Sequence, residues 1–300
     1  MLSYLKLVKI DHLMLMAIAQ IAVKYGLLDP FGIPITLNAL GLLLLIIATL
    51  AIAAAGNIII EIYNQNTPES DDLSAFQISG TSANRLFIIL NCIGVLIGFY
   101  ISYMVGKSSF AAFFVIVSGL FYLYASYLKE IPVLKNIIIA GLITLVLLAV
   151  GFFDLIPAIT NNNRASQTVV FSIIGDYAIF SFLIVLLREL VKDCLCIDED
   201  YNAGLKTIPI LLGKERTIQL IGVLSLLPLG AVIYYTYTYL FANNKAVLVM
   251  LLMVVAPLLF FTIKTFTSST RKDLIILKLA LKIILFLATL TMFFYQFLLT

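Results

Sequence analysis

The sequence predicts an all-α, polytopic membrane protein with about nine transmembrane helices, and three observations predict it. Hydrophobic residues fill 62% of the 300 positions and charged residues only 12%, about half the charged share of a soluble domain. Mean hydropathy is +1.11. Apolar runs of roughly twenty residues recur from end to end, each long enough to cross a hydrocarbon core of about 30 Å as a helix. A surface so poor in charge needs lipid as its solvent.

The N-terminal stretch MLSYLKLVKIDHLMLM carries charges up to Asp11 and then runs apolar without a small-residue cleavage site. It reads as a first span over Leu13–Leu28, not as a removed signal peptide. His12, the one histidine, stands where that helix begins and reads as an interfacial residue. A second span, Leu37–Ile62, continues as helix to Tyr63, about 40 Å in all, and so overshoots the core. Polar punctuation separates Leu86–Val105 from Phe110–Leu128, and Lys129 to Val133 separates the latter from Leu134–Pro157. The sixth span, Val169–Leu187, runs into a charged segment. Ile218–Phe241, Ala246–Ile263 and Leu274–Leu298 complete the set. The chain is expected to form a single transmembrane domain over residues 1–300.

Orientation follows from the distribution of basic residues. The N-terminus and the even-numbered loops carry Lys6, Lys9, Arg85, Lys129, Lys135, Arg188, Lys192, Lys206, Lys214, Arg216, Lys264, Arg271 and Lys272. The odd-numbered loops hold Lys24, Lys107, Arg164 and Lys245. The positive-inside rule then places the N-terminus in the cytoplasm and the C-terminus outside. A net charge of +3, dispersed along the chain, excludes a nucleic-acid partner, which needs clustered cations. Cys92, Cys194 and Cys196 make no disulfide framework and read as free thiols.

The two longest polar connections, Glu61 to Arg85 and Arg188 to Thr217, both fall on the cytoplasmic side. In AAAGNIIIEIYNQNTPES, Asn57, Glu61 and Asn64 recur at i, i+4 and i+7 and line one helical face opposite Ile58, Ile59 and Ile62. Such a stripe either marks the helix leaving the lipid or lines a cavity, and its one-sidedness favours the cavity. In LLRELVKDCLCIDEDYNAGLKTIPILLGKERT, Glu189, Asp193, Cys196 and Asp200 share a face if the helix persists. Two carboxylate-bearing helix ends suit a Mg²⁺-bridged diphosphate, because magnesium takes hard oxygen ligands and often binds through one or two carboxylates plus substrate phosphates. Lys129, Lys192 and Lys206 are the candidates to neutralise a leaving diphosphate.

Three segments carry a family resemblance. Gly204, Lys206, Thr207, Pro209 and Gly213 fall as in G-x-K-T-x-P-x-x-x-G. FYLYASYLKEIPVLKN resembles L-Y-x-Y-S-x-x-L-K-R-x-P-x-x-G-N through Tyr122, Tyr124, Leu128, Lys129, Pro132 and Asn136. AAGNIIIEIYNQNTP is similar to A-A-G-N-I-I-N-D-x-x-D-x-x-x-D. With nine spans and two polar loops, the chain resembles the UbiA superfamily of intramembrane prenyltransferases, closest in flavour to enzymes that geranylgeranylate a glycerol-phosphate ether lipid.

The resemblance implies a UbiA-type helical bundle, a prenyl diphosphate and a lipid-phase or aromatic acceptor as substrates, Mg²⁺ as cofactor, and membrane lipids as surroundings. It places Asn57, Glu61, Asn64, Asp193 and Asp200 at the metal, with Glu61, Asp193 and Asp200 as the catalytic group. It places Lys129, Lys192, Lys206 and Tyr124 against the substrate. The sequence departs from the pattern at several points. The family's Asn-Asp pair is Ile60-Glu61, its second and third Asp are Asn64 and Pro68, and Asp71 and Asp72 stand where basic residues are usual. Cys196 replaces an Asp, and Lys9 to His12 replaces R-P-x-N at the first span. A catalytically impaired relative that binds an isoprenoid lipid or a membrane partner is the alternative. A transporter would need repeat symmetry and intramembrane charge.

Overall fold

A computed structural model describes residues 2–65 and 79–298. Among these, nine helices are long and apolar enough to cross a membrane, and no strand occurs. They are α1 (Ile10–Leu28), α2 (Ala39–Asn64), α3 (Gly80–Met104), α4 (Ser108–Ser126), α5 (Leu134–Ala158), α6 (Arg164–Leu195), α7 (Lys214–Leu240), α8 (Asn244–Phe266) and α9 (Arg271–Tyr295). Each coincides with one expected span. The largest difference is α6, which begins before Val169 and ends well after Leu187, because helical hydrogen bonding needs no apolar side chains and continues once the chain has left the lipid.

The chain divides into two compact units. The first holds Met1–Ile21, Ile33–Lys129 and Val146–Ser172. Here α2 packs along α3 and α4, with the N-terminal part of α1 alongside. In lipid, interhelical hydrogen bonds and close packing must replace hydrophobic collapse as the source of cohesion. Gln20, fully buried, donates to Thr49 Oγ1 at 3.0 Å and to the Val146 carbonyl at 3.3 Å. Asp154 accepts from the Leu37 backbone N–H at 2.7 Å, which occupies a donor in the turn leading into α2. Phe113, Phe114 and Phe153 fill the space between with edge-on and tilted ring contacts.

The second unit holds Ala22–Gly32, Glu130–Leu145 and Ile173–Thr300. The end of α1, residues Ala22–Leu28, is a π-helical turn packed on α9. Lys24, counted above with the odd-numbered loops, is buried within this turn. Ser225 of α7 donates to Thr262 of α8 at 2.9 Å, and Tyr177 of α6 pairs with Thr291 of α9 at 2.8 Å. A cavity of about 180 Å³ opens among α6, α7, α8 and α9, its lining mainly apolar and including Asp176, Tyr177 and Tyr235. Asp176 and Lys24 therefore place ionisable side chains within the spans.

Candidate functional site

The site residues expected from the sequence fall into one group in each unit. In the first unit, Asn57, Glu61 and Asn64 stand on the last turns of α2, each half-buried. Asn57 Nδ2 donates to the Val8 carbonyl at 3.0 Å, so this amide also ties α2 to the N-terminal segment. Asn64 Oδ1 accepts from Lys129 Nζ at 3.0 Å. Tyr63 and Tyr122 share a hydroxyl contact at 3.1 Å with their rings edge-on, while Tyr124 is buried in α4. Pro68, Asp71 and Asp72 lie outside the described residues.

In the second unit, the helical face expected through Glu189, Asp193, Cys196 and Asp200 is not continuous. α6 ends at Leu195 and a short helix, Ile197–Asn202, starts after Cys196. The break still leaves both aspartates facing one cation, which the sequence reading did not assign to the site. Lys135 Nζ lies 2.9 Å from Asp193 Oδ1 and 3.8 Å from Asp200 Oδ2. Asn136 Nδ2 donates to Asp193 Oδ2 at 3.0 Å. Side-chain exposures are 11% for Lys135, 6% for Asp193 and 17% for Asp200, so the three charges are largely removed from water.

The approach to this cluster is backbone-built. Lys135 and Asn136 occupy the first turn of α5, delivered by Val133 in the left-handed region at φ +69°. For a β-branched residue that conformation is strained, by about 1–3 kcal/mol. After Asp200, Gly204 at φ +71° and Gly213 at φ +87° make turns that an L side chain resists. Between them Thr207 precedes the helix Ile208–Leu212, whose first turn contains Pro209. Most of the G-x-K-T-x-P-x-x-x-G segment is thus turn and helix-start chemistry. Its remaining polar side chains divide: Lys206 is exposed, whereas Thr207 is 1% exposed and its Oγ1 has no hydrogen-bond partner among the described residues. A buried hydroxyl in that state costs about 1–3 kcal/mol.

Electrostatics follow from burial. Desolvation pushes the Asp200 carboxyl above the usual carboxylate range, opposed by Lys135. Burial pushes the Cys196 thiol up to about 11, with Glu199 adding to the effect. Lys192 is paired with Glu189 at 3.4 Å. Cys92, Cys194 and Cys196 are free thiols; Cys194 is buried on the last turn of α6, not in a loop.

A magnesium ion fits the second motif poorly as the donors stand. Both oxygens of Asp193 are engaged, one by an ammonium and one by an amide. Mg²⁺ binds oxygen at about 2.1 Å and demands near-octahedral geometry. An ion on Asp193 Oδ1 would lie no more than about 5 Å from Lys135 Nζ, a repulsion of about 7 kcal/mol at an effective dielectric near 20. Cys196, with its raised pKa, is a poor substitute for a hard carboxylate. Among the described residues no group of three or more His, Cys, Asp or Glu side chains could hold a metal ion.

The fold defines a multi-pass, all-helical integral membrane protein with buried polar groups at the ends of its spans. The UbiA prenyltransferase family model matches residues 13–290, and the chain belongs to that family. A digeranylgeranylglyceryl phosphate synthase of Methanoculleus marisnigri is 30% identical over 187 residues, covering 61% of this chain and 60% of that protein. The chain spans less than two thirds of the length of the curated relatives it matches. Among solved structures, a UbiA homolog from Aeropyrum pernix K1 superimposes with a TM-score of 0.68 at 13% identity, over 91% of this chain and 95% of that one. A UbiA homolog from Archaeoglobus fulgidus bound to GPP and Mg²⁺ superimposes with a TM-score of 0.60 at 17% identity, over 97% of this chain and 99% of that one. At these identities the structural likeness shows the fold.

Proposed function

We propose that this chain is a membrane prenyltransferase that moves a prenyl group from a prenyl diphosphate to a lipid-phase acceptor, acting as a single domain with its N-terminus in the cytoplasm and its C-terminus outside. The observation that carries the reading is the buried cluster of Lys135, Asn136, Asp193 and Asp200 at the end of α6. Charge kept out of water in a lipid-dissolved protein is expensive and marks a working site. The family match and the naming of the Methanoculleus relative favour a prenyl diphosphate, with a glycerol-phosphate ether lipid as the first acceptor to try.

In that reaction the allylic carbon–oxygen bond breaks and its electron pair leaves on the diphosphate. The acceptor oxygen, or a ring carbon, attacks the cation, and its proton passes to an oxygen of the departing diphosphate. The chain's task is to meet growing negative charge with fixed positive charge where water is scarce. Taken unit by unit, Lys129 is the cation proposed for phosphate oxygen in the first, and Lys192 and Lys206 are those proposed in the second. Thr207 Oγ1, whose hydrogen-bonding capacity is unused within the described residues, joins them as a donor. Glu61 sets the charge of the first unit's group, with Asn57 and Asn64 as neutral oxygen donors, and Asp193 and Asp200 set that of the second. A divalent ion would arrive with the diphosphate, held through phosphate oxygens. Tyr124 and the cavity among α6 to α9 provide apolar surface suited to an isoprenoid chain.

A second reading rests on Asn64 and Cys196, which stand where the family signature has carboxylates: a relative that binds an isoprenoid lipid or a membrane partner without turnover. Purified protein with radiolabelled prenyl diphosphates of several lengths, an ether-lipid or aromatic acceptor, and Mg²⁺ present or chelated, separates the two. Labelled product supports transfer. Prenyl diphosphate retained without product at every length and acceptor overturns it and favours the second reading.

A further inference from the structure

Asp193 and Asp200 belong to the motif that the family resemblance assigns to a divalent cation, yet the position between them already carries one positive charge. We propose that the Lys135 ammonium is a tethered cation that takes the place of a metal ion at this motif, so that Asp193 and Asp200 are not metal ligands in this protein. The inference deepens the proposed function by naming what neutralises the second motif, and it can fail separately, since its test reads metal occupancy and not turnover.

Geometry is the first support. The ammonium touches Asp193 Oδ1 at 2.9 Å and lies 3.8 Å from Asp200 Oδ2, a buried oxygen with no hydrogen-bond partner among the described residues, so it stands between the two carboxylates but bonds only the first. The remaining Asp193 oxygen is held by Asn136 from the same helical turn. One turn of α5 therefore supplies both the charge and the hydrogen bond that a buried carboxylate requires. Sequence is the second support. In the segment L-K-R-x-P-x-x-G-N the residue before the asparagine is glycine, and here it is Lys135. Backbone is the third. A lysine in the first turn of a helix opposes the helix dipole, and Val133 reaches it through a conformation that valine resists. Both features set Lys135 against the acidic pair at a local disadvantage. Substitution of Cys196 at the intervening position fits the same picture, because a site with a built-in cation has no need of a further hard oxygen.

Manganese counted by electron paramagnetic resonance on the purified, substrate-free protein tests the proposal. Wild type, Asp193→Asn and Asp200→Asn are expected to bind the same number of Mn²⁺ ions per chain. Lys135→Gly is expected to gain one Mn²⁺, and the gain should vanish in Lys135→Gly combined with Asp200→Asn. A wild-type count that falls by one in Asp193→Asn or Asp200→Asn overturns the proposal, as does a folded Lys135→Gly with no added ion. If Lys135→Gly does not fold, unfolding temperature decides. Wild type should melt at the same temperature in EDTA as in Mn²⁺, and a Mn²⁺-dependent rise that Asp200→Asn abolishes would overturn the proposal. Lys135→Arg, which keeps the charge, should match wild type in both measurements.

Discussion

The polar ends of α2 and α6 answer the same problem with different chemistry. At the end of α2 a neutral amide, Asn64, takes the ammonium of Lys129, and both side chains are only half-buried. At the end of α6 a carboxylate pair takes the ammonium of Lys135, and all three groups are largely buried. An amide can be left without its partner at modest cost, because it carries no net charge and water still reaches it. Two buried carboxylates cannot, because desolvation of an uncompensated ion outweighs most single packing gains. The difference teaches that the two motifs, similar in sequence pattern, are unequal in what they demand of the rest of the chain.

The largest expected effect breaks that inequality. Lys135→Met should destabilise the protein by about 3–5 kcal/mol, the usual result of orphaning a buried ion pair, while Lys129→Met should cost about 1 kcal/mol. Unfolding midpoints in detergent measure both, and equal losses would show that the motifs are equivalent after all. A second experiment makes the first motif more like the second. Asn64→Asp adds a hard oxygen ligand at the first motif and should tighten Mg²⁺-dependent binding of a prenyl diphosphate by roughly tenfold, about 1.4 kcal/mol. Unchanged binding in the folded variant would favour the isoprenoid-binding reading.

Val133→Gly bears on the backbone beneath the contrast. The left-handed conformation suits glycine, and Val133 is half-exposed, so little packing is lost. A stabilisation of about 1 kcal/mol is expected, seen as a higher unfolding temperature. The smallest effect concerns Cys196. With its thiol pushed up to about 11, the reactive thiolate is scarce at pH 8, and alkylation should run on the order of a hundredfold slower than for a thiol of ordinary pKa near 8.5. The rate should rise about tenfold per pH unit up to pH 10, and a plateau below pH 9 would contradict the burial assigned to it.

All nine spans were legible because hydropathy reports directly on the lipid solvent, and no tertiary information is needed to count them. The acidic residues at the end of α6 were legible as a cluster, since Asp193 and Asp200 break an apolar pattern. Lys135 was not. In sequence it was one more basic residue on the cytoplasmic side, useful only for orientation, and its partners lie far along the chain. The glycine that the signature places there was the available signal. The break at Cys196 was missed because a periodic row of polar residues does not reveal where helical hydrogen bonds stop. Lys24 was misplaced for a related reason: a lysine near a helix end looks like a loop residue until the π-helical turn around it is seen.

A cation encoded at position 135 is inherited with every copy of the chain. Its presence does not vary with the supply of divalent ions in the cell, and it cannot be carried away when an anionic product departs. A metal must be reloaded in each cycle if it leaves with diphosphate; a lysine is there from translation onward. The same permanence removes a point of control, because the charge at this end of α6 answers to mutation and not to ion concentration.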